Sequence, residues 1–420
     1  MPRQALVTGL GFITPIGNTR AAVAQSLREG RHGIETVEFL GNPHLSIKVV
    51  GTIKEFVAHT PNWRDWRFPA SYDIPKEALR GLSPHGLFAL CAIEQALGDA
   101  QLTAADIGDG ATGLYCASAG STLLAHHHLT RLLESRGERC GPLGVVSSIA
   151  GTLNFNLAAH YGIRGAVGGF VAACASSSHA LGCALDDIRL GRQKRMIIVG
   201  AEEATAESIL PFAAMRALST NPDPATASRP FDAGRDGFVG SGGAVALIIE
   251  EAEFAQQRGA RIYAEFAGWG QAADGYNIAI SHPQGTGLVD AINRALQDTR
   301  IDSGQIDYIN AHATSTPAGD RSEALALQTV FTAAGHTPPI SSTKGLTGHP
   351  LSMAGVMEAA FCSLAIKDGF IPGNAHLRDI DEVCRGLNLP RETLPTPPRT
   401  VLSTSSGFGG SNVGLVFRRV

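Results

Sequence analysis

An α/β fold built from two similar layered halves is what this sequence predicts. Ala-rich stretches of helical character alternate with short runs of β-branched residues. Glycine, 49 of 420 residues, punctuates the junctions. The order strand, helix, strand read in the first half returns in the second. With 44% apolar and 17% charged residues, the chain can bury a large core in one big or two ordinary domains, which excludes disorder and a collagen-like fibre.

Taken in order, "ALVTGLG" reads as a buried strand and "TRAAVAQSLREG" as a helix closed by glycine. "TGLYCASAG" and "KRMIIVGAEEA" are further strands, "HALGCALDDIRLG" is the helix between them, and "GGAVALIIEE" closes the half. After the helical "EAEFAQQRGA", "RIYAEFAGWG" opens the second half. A helix near Leu288 to Leu296, then "IDYINAH" and "PISSTKGLTGH" follow. The helix "AGVMEAAFCSLAIKDG" and the run "RTVLSTSSGFGGSNVGLVFR" complete it. The two halves are expected at residues 1–255 and 256–420. The stretch Glu55 to Lys76, with Trp63 and Trp66, and the His-rich stretch near Ala125 read as insertions between core elements.

Charge excludes some partners. Lys plus Arg number 34 and Asp plus Glu 38, a net −4, so no global field favours nucleic acid or an anionic membrane. Seven cysteines, an odd number with no C-x-x-C, speak against a disulfide framework and a zinc ribbon. The opening "MPRQALVTGLGFITPIGN" lacks the long apolar segment of a signal peptide or a membrane span, and the expected location is the cytoplasm.

The stretch "VGGFVAACASSSHALG" sets Cys174 among small residues where an extended run turns into a helical one. Small neighbours let the backbone bend tightly and put the thiol at a helix N-terminus, where the dipole would lower its pKa and make a nucleophile. The same residue also reads as a packed core thiol. "NAHATSTPAGD" places His312 after an apolar run, and "STKGLTGHPLSMAG" places Lys344 and His349 in a Gly-punctuated loop. Loops at strand ends are where α/β sites gather. Other motifs fail. Gly9, Gly11 and Gly17 of "GLGFITPIG" do not make G-x-G-x-x-G and read as a turn. His126 to His128 cannot all face one ion. Ser176 to His179 suggest a serine nucleophile, but the chain has no G-x-S-x-G elbow. Glu202 and Glu203 read as buried hydrogen-bonding or dimer-contact residues before catalytic ones.

"ACASSSHALGCALDDIRLG", "FDAGRDGFVGSGGA", "HATSTPAGD", "KGLTGHPLSMAG" and "SSGFGGSNVGLVF" stand in the order found in β-ketoacyl-acyl-carrier-protein synthases I and II. The resemblance runs from "ALVTGLG" almost to Val420 and is closer to synthase I. It implies a thiolase-like fold, a duplicated five-layered α-β-α-β-α architecture. It also implies a decarboxylative condensation of an acyl thioester with a malonyl thioester carried by acyl carrier protein. By motif match, Cys174 becomes the acyl-accepting nucleophile, His312 and His349 the paired histidines, and Lys344 the lysine beside them. Glu358 becomes the carboxylate that pairs with the lysine, and Thr314 and Thr316 contacts for the phosphopantetheine arm. Phe408 becomes the gate whose N–H joins that of Cys174 in an oxyanion hole. Lys76 and Arg80 become docking cations for the carrier protein, with Arg131, Arg136 and Arg139 as weaker candidates.

The family implies no cofactor or metal. It implies a homodimer, with a heterodimer beside a chain-length-factor subunit left open. The alternative reading is such a factor subunit itself, which lacks the nucleophilic cysteine; a thiolase would carry a second cysteine that "SSGFGGSNVG" does not have. Two departures stand out: Ala313 follows the first histidine where the family has Gly, and "PLSMAG" replaces a Gly-Ala-Ala-Gly ending.

Overall fold

The structure is a computed structural model that describes residues 3–40, 44–139 and 141–420. Cys140, one of the seven cysteines, lies outside the described residues; the other six are all free thiols. The strands are β1 (Ala5–Ile13), β2 (Ile34–Thr36), β3 (Val49–Gly51), β4 (Thr112–Ala117), β5 (Val167–Phe170) and β6 (Arg195–Glu202). They continue with β7 (Gly243–Glu251), β8 (Ala264–Ala273), β9 (Tyr308–Asn310), β10 (Ile340–Ser341), β11 (Thr400–Gly407) and β12 (Ser411–Arg418). β2 and β3 form a small separate ribbon, and the rest form one sheet in the order β10-β9-β11-β12-β8-β1-β7-β6-β4-β5.

That order repeats itself. Outward from the junction of β1 and β8, the first set reads β1, β7, β6, β4, β5 and the second β8, β12, β11, β9, β10. In each set the first two pairings are antiparallel and the last two parallel. Only the short ladder from Ala5↔Phe266 to Val7↔Ala264 joins the sets. The first set ends at Glu251 and the second begins at Ala264.

The central strands are apolar on both faces, as strands covered by helices on each side must be. Along β7, Val245, Leu247 and Ile249 face one core while Ala244, Ala246 and Ile248 face another. The helix Pro84–Ala100 covers the outer face of β1 and β7, and the helix Thr286–Thr299 covers that of β8 and β12. Between the two sets lie the helices Ser176–Arg189 and Ala354–Asp368, each touching strands of both. Helix, sheet, helix pair, sheet, helix make five layers. The helix Ala354–Asp368 is buried on all sides from Ala354 to Ile366, as a central layer requires. Its Gly355 is where the two inner helices cross: a Cβ there would lie 2.0 Å from Ser178 Oγ.

The expectation of a turn at "GLGFITPIG" is corrected. Gly9 and Gly11 lie inside β1, and only Thr14 to Gly17 forms a turn. The glycines serve packing: a Cβ at Gly11 would meet the Ala92 carbonyl oxygen at 1.9 Å, so their absent side chains let the helix Pro84–Ala100 lie against the strand. The His-rich stretch belongs to the helix Thr122–Glu134, which fans consecutive residues around its axis. Among the described residues no helix is long and apolar enough to cross a membrane.

Candidate active site

Four connections converge on one cavity of about 310 Å³. Cys174 follows β5, His312 follows β9, Lys344 and His349 follow β10, and Phe408 sits between β11 and β12. Cys174, His312, His349, Thr314, Thr316 and Phe408 all line the cavity.

The nucleophile bend is built by its small residues. Ala173 takes a left-handed φ of 50°, and Ser176 Oγ closes the turn by accepting the Ala172 N–H and donating to the Ala173 carbonyl. Non-glycine residues hold that conformation only under local constraint, a recurring mark of functional bends. The helix then begins at Ser176 behind an Ala175 cap. Gly407 faces the bend: a Cβ there would lie 2.6 Å from the Ala172 carbonyl oxygen. This brings the Phe408 peptide toward Cys174.

His349 Nε2 lies 3.0 Å from Cys174 Sγ. The His349 backbone is clamped to β7's leading loop, its N–H donating to Val239 O at 2.7 Å and its carbonyl accepting from Ser241 N at 3.1 Å. Phe238 meets the ring edge-on at 5.3 Å, and His312 meets it at 5.3 Å with the planes at 87°. Lys344 is wholly buried and donates three ways: to the His312 carbonyl at 2.6 Å, to His312 Nδ1 at 3.3 Å, and to Glu358. Because an ammonium can only donate, His312 Nδ1 accepts, and the imidazole proton sits on Nε2. Thr314 and Thr316 share a 3.0 Å hydroxyl contact at the cavity wall.

Burial governs the electrostatics. It holds both His312 and His349 well below the usual imidazole value, with the Lys344 cation adding to the effect, so both are neutral. Glu358 is pushed up to about 7 by burial, against the opposing pull of Lys344. For Cys174 the expected lowering is corrected. Desolvation pushes the thiol up to about 12, with Lys344 pulling the other way and Glu202 and Glu358 adding to the rise. Only Ala175 stands between Cys174 and the first helical residue, Ser176, yet burial is the largest influence on the thiol. The nucleophile is therefore a neutral thiol beside a neutral imidazole.

Cys174, His312 and His349 offer donor atoms within 4.8 Å of one another, the spacing of a metal site. The charge pattern opposes that use. Lys344 fixes a proton on His312 Nε2, which makes that nitrogen a donor rather than a ligand, and adds a cation 3.3 Å from the ring.

Sequence reasoning missed the supports beneath these groups. Glu323, wholly buried on the helix Pro317–Leu327, accepts the N–H groups of His312 at 2.9 Å and Ala313 at 2.6 Å and the Thr404 hydroxyl at 2.6 Å. Asp320, one turn earlier, accepts from Phe231 N and Ser315 N and pairs with Arg235 at 3.3 Å. Two acids three residues apart among alanines in "PAGDRSEALAL" were the available signal. Glu202 and Glu203 are buried and hydrogen-bonded, Glu203 to His85 at 3.2 Å. Lys76 and Arg80 are exposed at the short helix Lys76–Leu79 and do not line the cavity. Arg131, Arg136 and Arg139 are exposed at and beyond the helix Thr122–Glu134.

Two family models divide the chain between them. The model described as "Beta-ketoacyl synthase, N-terminal domain" matches residues 3–255, and "Beta-ketoacyl synthase, C-terminal domain" matches residues 263–378. The chain belongs to the β-ketoacyl synthase family. It is 38% identical to 3-oxoacyl-(acyl-carrier-protein) synthase 1 of Haemophilus influenzae over 99% of both chains. A β-ketoacyl synthase from Burkholderia phymatum superposes over 100% of both chains, with a TM-score of 0.91 and 31% identity. A chain of the AntDE:AntF assembly, an acyl-carrier protein of a type II polyketide system in complex with its ketosynthase bound to the hexaketide, superposes over 100% of both chains with a TM-score of 0.88 and 28% identity. As a β-ketoacyl synthase the chain is a condensing acyltransferase with the thiolase-like fold of these relatives.

Proposed function

We propose that the cavity performs both half-reactions of a decarboxylative Claisen condensation, with Cys174 as the acyl acceptor. The observation that carries this reading is Cys174 Sγ at 3.0 Å from His349 Nε2, with neutral His312 in the same cavity.

In the first half-reaction the Cys174 thiol gives its proton to His349 as sulfur attacks the acyl thioester. The C–S bond to the carrier breaks, and its thiolate takes the proton back from His349. Coupled transfer suits a thiol near 12 better than a standing thiolate does. The tetrahedral oxyanion is met by the N–H groups of Cys174 and Phe408. Such donors are worth roughly 10²–10³ in rate each.

In the second, a malonyl thioester enters. Loss of CO₂ leaves its electron pair as an enolate, whose oxygen accepts the Nε2–H of His312, and that of His349 once the His349 proton has moved from Nδ1 to Nε2. Neutral imidazoles suit this, because they donate without a cation that would hold the starting carboxylate. Lys344, held by Glu358, keeps the His312 proton on Nε2. The enolate carbon attacks the acyl group on Cys174, the C–S bond breaks, and the sulfur leaves protonated. One proton is taken from solvent per turnover.

The substrates arrive on acyl carrier protein, Thr314 and Thr316 bonding the phosphopantetheine arm, and Lys76 with Arg80 meeting the acidic carrier. The relatives' names and the AntDE:AntF complex support this partner. No cofactor or metal is needed for these steps. Residues 1–255 and 256–420 are the two thiolase-like halves. The open edge of the sheet, β5 with Val167 exposed and Val171 exposed just beyond it, lies beside the helix Leu153–Tyr161 with exposed Phe155. Two copies pairing there, or one with a factor subunit, cover that edge.

The experiment is malonyl decarboxylation by Cys174→Ala. Continued CO₂ release with transacylation abolished is expected; loss of both, in a folded variant, overturns the division of labour.

A further inference from the structure

The hairpin of β11 and β12 turns over Phe408, Gly409 and Gly410, and Gly407↔Ser411 is the pair that closes it. Gly409 and Gly410 take left-handed φ values of 82° and 75°. Such glycines leave a loop wide conformational freedom, so its place is set by what holds its stems. Both stems are bonded to the helix Ser176–Arg189, which begins two residues after Cys174. Ser405 of β11 shares a 2.7 Å hydroxyl contact with Ser178, and Ser411 at the head of β12 shares a 2.7 Å hydrogen bond with His179 Nε2. Elsewhere on the loop, the Gly410 carbonyl accepts the Asp274 N–H at 2.8 Å, and the Phe408 ring meets Phe212 at 6.2 Å.

His179 is itself well fixed. Its backbone N–H donates to the carbonyl of Ala175, the neighbour of the nucleophile, at 3.0 Å, and its ring meets Trp269 of β8 edge-on at 6.4 Å. Burial holds the ring below the usual imidazole value, against a hydrogen bond with Gln271, so a neutral imidazole meets the Ser411 hydroxyl. One side chain therefore runs from the start of the nucleophile's helix to the residue that closes the loop carrying the Phe408 N–H. His179 does not line the cavity and touches no reacting atom.

We propose that His179 is a positioning residue for acyl transfer: through Ser411 it sets the Phe408 loop against the Cys174 bend, and with it the spacing of the two N–H groups that meet the oxyanion. This rests on the reading of Cys174 and Phe408 as that pair of donors. Donors stabilise a developing charge only when they are aimed at it beforehand, so a loosened stem costs rate without removing any reacting group. Enolate formation, which uses His312 and His349, does not draw on this pair.

The test measures three rates in wild type, His179→Ala and Ser411→Ala: single-turnover acyl loading from an acyl-carrier-protein thioester, CO₂ release from a malonyl thioester, and alkylation of Cys174 by iodoacetamide. Removing an oxyanion donor outright costs about 10²–10³ in rate, and displacing one is expected to slow loading by about tenfold in each variant. CO₂ release and alkylation build no such oxyanion and are expected to keep the wild-type rate. The two changes cut one bond, so the double variant is expected to load no more slowly than His179→Ala. A folded His179→Ala that loads at the wild-type rate overturns the proposal. So does an equal loss in all three rates, which a merely structural role would give, or a double variant slowed by the product of the two effects. Where His179→Ala fails to fold, Ser411→Ala, which deletes one hydroxyl, decides in the same way. Wild-type protein that never loads an acyl group would defeat the reading of Cys174, whereas wild-type loading with unslowed variants defeats this proposal alone.

Discussion

Replacing Lys344 by Met keeps the length of the side chain and removes an ammonium from a place where it and Glu358 are both 0% exposed. Three bonds vanish together: to Glu358, to the His312 carbonyl at 2.6 Å, and to His312 Nδ1 at 3.3 Å. Stranding one member of a buried ion pair costs about 3–5 kcal/mol. Glu358, already pushed up to about 7, relieves part of this by binding a proton when the cation is gone. The loss is therefore expected near the lower end, about 3 kcal/mol at neutral pH. It grows as pH rises: the variant's folded carboxyl titrates above its unfolded value, so the unfolded state binds fewer protons and stability falls through that window. Lys344→Met with Glu358→Gln should recover most of the loss. The catalytic consequence is selective. His312 loses the group that fixes its Nε2 proton, so decarboxylation falls by about 10²–10³. Acylation, which depends on His349 at 3.0 Å from Cys174, falls far less. Urea unfolding of both variants on either side of neutrality, with CO₂ release and acyl loading measured separately, reads all three effects. Unchanged stability, or equal loss in both half-reactions, would refute the reasoning.

Three further predictions follow from the same geometry. Burial and Lys344 hold His312 and His349 well below 6.5, so decarboxylation should be flat from about pH 6 to 8 on their account, and folding stability should fall as acid protonates them in the unfolded chain; an inflection near 6.5 in CO₂ release would contradict this. Gly182→Ala sets a Cβ 2.1 Å from the Trp269 ring and should cost about 1–3 kcal/mol in denaturant unfolding by prying the inner helix from β8. On the pairing proposed at β5, Val167→Asp on that open edge should lower the sedimentation coefficient relative to wild type, and an unchanged coefficient would contradict pairing there.

The fold was largely legible because its strands and helices carry strong periodicity. The duplicated order was visible from "ALVTGLG" and "RIYAEFAGWG", which became β1 and β8, the adjoining first strands of their sets. "GLGFITPIG" misled because glycine marks both turns and close helix approach, and only the Ala92 contact distinguishes them. At the site, motif order singled out Cys174, His312 and His349, which meet in one cavity. Their supports were not: Glu323 and Asp320 accept backbone N–H groups across the fold, and Thr404 accepts the His312 N–H while donating to Glu323, contacts with no sequence spacing of their own. The protonation state of Cys174 was the clearest miss. A helix start can be seen in sequence, whereas the desolvation that pushes the thiol up to about 12 depends on everything packed around it.

Intact-protein mass spectrometry after incubation with a panel of acyl-carrier-protein thioesters, wild type beside Cys174→Ala, tests the central claim most directly. A mass gain of one acyl group in wild type and none in the variant is the predicted result, and the best-loaded chain names the substrate class. Folded wild-type protein that loads from no donor, or a variant that loads equally well, would contradict the assignment of Cys174 as the acyl acceptor.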